Sequence, residues 1–225
     1  MMALQKDTNP FFNNFIPKAL EPKLEIKKDS KDSSEALTKK NNQELKVFVT
    51  KDKNLLEQYY KLRHESYLKE FNFPNYNGFE NEFDQAGKII IAEIDGEVVG
   101  GMRVMFNGDC ESLSAEAKNT KFNYRNLFSI ADGTETNYCE ISAIVVAKNN
   151  RGHDVLQKMF EVAVVYYNQR SCKHMVGVST KAHCRIYKIV FKKLGYDIVI
   201  RNDFPWITRE DHNNLEEFPV TLSSL

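Results

Sequence analysis

The chain has 225 residues, 42% of them apolar, and its 31 basic and 31 acidic residues cancel to a formal charge of zero. That balance argues against nucleic acid as a partner, which needs a basic excess or stripe. The four cysteines form no C-x-x-C pair and have no His at finger spacing, which argues against a structural zinc and against any resident metal. No run approaches the roughly 18 apolar residues of a membrane span, and no apolar h-region marks a secretory signal, so the expectation is a cytoplasmic protein.

Residues 1–45 are rich in Lys, Asp, Asn and Ser and read as a flexible N-terminal extension. A single domain is expected over 46–225. It opens with a short strand at 46–49, and Leu55, Leu56, Tyr59, Leu62, Ser66 and Tyr67 then recur at helical spacing, with Arg63 near the middle. Pro74, Asn75, Asn77 and Gly78 predict irregular chain over 71–78. A β-branched run at 88–94, the turn pair Asp95-Gly96 and a returning strand at 97–105 make a hairpin. A connection of mixed character follows over 107–137, then a strand at 138–146. A helix with Val155, Leu156, Met159, Phe160 and Ala163 comes next, a strand at 175–179, a helix at 183–194 closed by Gly195, and a last strand at 196–200. An antiparallel front half followed by βαβ crossovers implies a mixed α/β sheet with helices on both faces.

Two phrases, VVAKNNRGHDVL at 145–156 and RIYKIVFKKLGY at 185–196, resemble the central strand with pyrophosphate loop and the closing helix-to-strand segment of GNAT N-acyltransferases. Four further motifs fall in a consistent order: LRHESY at 62–67, ENEFD at 80–84, GGMR at 100–103 and CEIS at 139–142. Together they are similar to the acyl-homoserine-lactone synthases and, more closely, the N-acyl amino acid synthases. Aromatic residues Phe71, Phe73 and Tyr76 stand where the lactone synthases carry a Trp, Gly87 replaces their second Asp, and Ala143 replaces an Arg.

The resemblance implies transfer of a long acyl chain from acyl carrier protein to the amine of an amino acid or related small molecule. No cofactor is expected to be tightly bound; acyl-phosphopantetheine or acyl-coenzyme A is the donor. An amine nucleophile needs a proton acceptor and oxyanion donors rather than a covalent intermediate. Glu140, flanked by apolar residues in mid-strand, is the first candidate base; Asp84 is an alternative base or an anchor for the substrate amine. Arg63 and Arg103 either clamp an acceptor carboxylate or hold the two acids in place, and Ser142 joins them as a substrate contact. An Arg within the apolar run GGMRVM demands a partner. By the same resemblance, backbone at Val145 and Val146 serves the oxyanion, and Arg151 and Gly152 take the donor phosphate. Phe106, Leu127, Phe128, Tyr166 and Phe191 are candidate acyl-pocket residues, and core residues otherwise. Basic residues near the C-terminal helix would steer an acidic carrier protein. Two alternatives stay open: an acetyl-coenzyme A-dependent acetyltransferase, and a non-catalytic acyl-binding module.

Overall fold

Six alternating residues, Leu45–Thr50, form strand β1, and Asp52 then caps the helix α1 (Lys53–Lys69) by accepting from the Leu55 amide at 3.1 Å. In this computed structural model the described residues are 44–224 apart from 71, 119–122, 152, 205–211 and 213–215, so nearly all of the expected extension lies outside them. The hairpin of β2 (Lys88–Ile94) and β3 (Glu97–Phe106) turns at Asp95 and Gly96, with φ of 52° and 84°. Two successive positive φ values are the type I′ geometry that Asp-Gly favours. Strand β4 (Tyr138–Val146) pairs antiparallel with β3, and α5 (His153–Gln169) crosses over to β5 (His174–Ser179), parallel to β4. Thr180 caps α6 (Lys181–Lys193), Gly195 takes φ of 81° just beyond its end, and β6 (Tyr196–Ile200) follows.

The sheet does not finish there. A seventh strand, β7 (Phe218–Ser224), inserts between β5 and β6 and is antiparallel to both, giving the order β1-β2-β3-β4-β5-β7-β6. Three short helices also form: α2 (Glu82–Ala86), between the irregular stretch and the hairpin, and α3 (Ser114–Lys118) and α4 (Tyr124–Leu127), within the connection read as mixed.

Alternation sorts the buried side chains onto two faces. Ile90, Met102, Val104, Cys139, Ile141 and Met175 pack with Met159 and Phe160 of α5 and Val190 and Phe191 of α6. On the opposite face, Ile89, Ile91 and Val145 meet Tyr59 and Tyr60 of α1, while Met105 and Val176 meet Tyr124 and Leu127. The α1 stripe that faces the sheet carries Arg63 among its tyrosines, and that guanidinium is fully buried. No described helix is long and apolar enough to cross a membrane.

Candidate active site

β4 and β5 pair over four positions only, from Tyr138↔His174 to Ile141↔Gly177, and then part. On its other edge β4 carries a bulge: Gly101 faces Val145 while Arg103 faces Ser142, so three steps on β4 oppose two on β3. Ala143 takes φ of 54° within it. The bulge is pinned from α1, where Tyr59 donates to the Ala143 carbonyl at 2.7 Å and Tyr67 to the Ile144 carbonyl at 3.3 Å. Burial pushes the Tyr59 phenol up to about 12, so it stays a donor. Beyond the bulge, Ala147 donates to Val99 at 2.8 Å on the β3 side. Strand alternation then turns the Val146 backbone toward the gap left by β5. The Val146 carbonyl meets Arg151 Nε there at 3.1 Å.

A cavity of about 460 Å³ fills this gap and passes between the two faces of the sheet. Its polar wall includes Asn81, Arg103, Ser114, Glu140 and Ser142. Its apolar wall, on the α5–α6 side, includes Leu156, Phe160, Met175, Phe191, Ile198 and Leu222. A concave, mainly apolar space with a few convergent polar groups is the usual form of a small-molecule site.

Arg63, Asp84 and Arg103 converge beside that wall. Arg63 grips Asp84 with both terminal nitrogens, at 2.9 and 2.8 Å, and spends its remaining donors on the carbonyls of Gly78 and Phe79, each at 2.7 Å, and on Tyr59 Oη at 3.4 Å. Gly78 must be Gly, since a Cβ would fall 2.3 Å from the His64 backbone. Arg103 adds a bond to Asp84 at 2.9 Å and reaches Asn81 and Ser142 Oγ, each at 3.2 Å. Asp84 also closes a capping box with Asn81 at the start of α2. Burial alone would raise the Asp84 carboxyl, but Arg63, Arg103 and the Asn81 amide outweigh it and hold it below the ordinary value. The partner that an Arg in β3 requires is therefore Asp84. Arg63 and Asp84 stand behind the cavity wall, and Arg103 belongs both to the wall and to the cluster.

Glu140 is held differently. It is 1% exposed and accepts from Ser114 Oγ, from the Ala115 amide at 3.0 Å and from Tyr124 Oη at 2.9 Å. Every one of these donors is neutral. A carboxylate offers about four lone-pair sites, so three donors leave about one, on a residue that lines the cavity.

A family model described as N-acyl amino acid synthase FeeM matches residues 58–196. The chain belongs to the FeeM family. It is an N-acyltransferase, with the mixed sheet of the GNAT fold. No match is found among curated protein sequences. Among solved structures, the fold resembles that of the acyl-homoserine-lactone synthase LasI, at 15% identity over 80% of this chain and 90% of that one, with a TM-score of 0.58. FeeM from uncultured soil microbes aligns at 9% identity over 80% and 91%, with a TM-score of 0.52. The coenzyme A-dependent lactone synthase BjaI, solved with SAM and isopentyl-coenzyme A, aligns at 17% over 76% and 77%, with a TM-score of 0.52.

Within this FeeM-family site, the residues expected from sequence fall into three groups. Glu140, Arg103 and Ser142 share the cavity with Val146. Val145 and Arg151 also border the cavity, but Val145 packs its side chain toward α1 and Arg151 is tied to Glu70 as well as to Val146, while Arg63 and Asp84 stand behind the wall. Gly152 lies outside the described residues. Of the candidate acyl-pocket residues only Phe191 reaches the cavity; Phe106, Leu127, Phe128 and Tyr166 pack within or against the core clusters. Reading the sequence missed Ser114, Tyr124, His212 and Glu217. Asn81 was detectable, because Asn-x-x-Asp ahead of an apolar run is a capping-box pattern.

Proposed function

We propose that this FeeM-family protein moves a long acyl chain from acyl carrier protein to the amine of an amino acid or a related small amine. The observation that carries the reading is the cavity between β4 and β5, which joins Glu140, Arg103 and Ser142 to an apolar wall from α5, α6 and β6. In this reading the acyl chain lies along Leu156, Phe160 and Phe191, and its thioester carbonyl faces the Val146 amide. Glu140 accepts a proton from the incoming amine. Arg103 presents its cationic edge to the acceptor, while Arg63 and Asp84 fix Arg103 in place. Carrier protein is favoured over free coenzyme A by charge. Lys181, Arg185, Lys188 and Lys192 recur at four-, three- and four-residue steps, all exposed, as one stripe of α6. Asp154 meanwhile lies exposed in the first turn of α5, where an anion would otherwise dock.

The test is to incubate the protein with palmitoyl-carrier protein and mixed amino acids and to look for N-acyl products by mass. Amide formation is expected, and charge reversal of the α6 stripe should raise KM for the carrier-protein donor about tenfold while sparing a palmitoyl-coenzyme A reaction. Product from acetyl-coenzyme A alone would replace this reading with an acetyltransferase, and absence of turnover with every thioester would leave a binding module.

A further inference from the structure

His212 and Glu217 form a second buried pair of titratable side chains in the same cavity, one that the acyl-transfer reading above does not use. Both line it, both are nearly completely buried, at 4% and 5% exposure, and the His212 Nδ1 lies 3.1 Å from a Glu217 carboxylate oxygen. With Glu217 ionised, its carboxylate can only accept, which places the proton on Nδ1 and makes Nε2 the basic nitrogen. The ring is clamped by aromatic neighbours. Phe73 stacks on it at 4.5 Å between centroids, and Tyr76 and Tyr67 approach at 5.4 and 5.8 Å. A histidine fixed in tautomer and orientation by a buried carboxylate is arranged as a general base is.

The chemistry calls for such a group. An acceptor amine enters as an ammonium and loses two protons on becoming an amide, but Glu140 is one acceptor. The departing thiolate must then gain one. The other wall groups are poorly suited to this exchange. Phe191 has no proton to give, and burial pushes the Tyr187 phenol up to about 12. His183 faces Thr180 Oγ1 at 3.3 Å; burial drives its imidazole below its ordinary value, with Glu217 opposing and Arg151 adding to the fall.

We infer that the His212–Glu217 pair carries the second proton of acyl transfer, an inference that rests on the acyl-transfer reading. The amine nitrogen forms the C–N bond with its lone pair, and the C–S bond breaks with its electron pair going to sulfur. The nitrogen-bound proton passes to His212 Nε2 and from there to the thiolate. Thioester and amine thus become amide and thiol, with no other reactant. Glu217 acts through His212 and is a positioning residue.

Four variants test this in the full-length protein, each checked by thermal melting and assayed with palmitoyl-carrier protein. His212→Gln should lower kcat about 100-fold with KM nearly unchanged, and Glu217→Gln about tenfold. Added imidazole should restore part of the rate to His212→Ala and none to Glu140→Gln. A His212→Gln rate within twofold of wild type overturns the inference while leaving acyl transfer intact. So does a loss that appears only in KM and is not rescued. If His212 variants fail to fold, Glu217→Gln decides: an unchanged kcat refutes the pair. A wild-type protein inactive with every thioester refutes the acyl-transfer reading itself, and the inference with it.

Discussion

Asp84 and Glu140 are both buried carboxylates within one sheet's reach of each other, yet their surroundings have opposite character. Asp84 is met by two guanidinium groups that neutralise it and consume its oxygens. Glu140 is met by two hydroxyls and one backbone amide, none of them charged. The first arrangement fixes geometry between α1, α2 and β3 and has little capacity to change protonation. The second keeps a carboxylate in a low-dielectric wall with capacity left for a ligand. Proximity to a cavity and burial alone would not separate the two; the charge of the partners does.

The largest effect expected from this contrast is on folding. Asp84→Ala leaves two buried guanidinium groups uncompensated and should cost about 3–5 kcal/mol in urea denaturation. The same carboxylate sets an acid limit. Its native pKa is depressed, so its contribution is complete above about pH 4, the unfolded value, and is lost as pH falls through the lower native one. Denaturation curves collected between pH 7 and pH 2 should show that loss in the wild type and not in Asp84→Asn. Glu140→Gln, in contrast, should leave the fold in place and lower turnover about 100-fold; full activity in that variant would remove Glu140 from the mechanism. Tyr124→Phe, which deletes one neutral donor to Glu140, should destabilise by about 1–2 kcal/mol. At the small end, Glu65→Gln breaks a well-exposed pair with Lys69 and should change stability by no more than about 0.5 kcal/mol.

What could be read from residue order follows the same division. The β2–β3 hairpin announced itself through Asp95-Gly96 and a β-branched run, and β4, α5 and α6 through periodicity, because those elements are specified by neighbours in sequence. β7 was hidden because its partners β5 and β6 are remote and Pro219 lowers its apparent strand character. The need for a partner at Arg103 was legible from its apolar setting, and Glu140 stood out by its apolar neighbours in mid-strand. The donors to Glu140 were not, because Ser114 and Tyr124 sit in short helices with too few residues to display a period. The apolar wall was misjudged for a related reason. Phe106 and Phe160 look alike in sequence, and only the parting of β4 from β5 decides which of them borders open space.

That parting has a mechanical consequence. Four register positions join the β1–β4 sheet half to the β5–β7–β6 half, and the seam ends at Ile141 and Gly177. A molecule threaded through the opening takes the place of the rungs the two strands do not form with each other, so it acts as a splint as well as a reactant. Amide exchange along Ser142–Val146 and Val178–Ser179 should therefore slow when an acyl donor is bound and quicken again once the product departs.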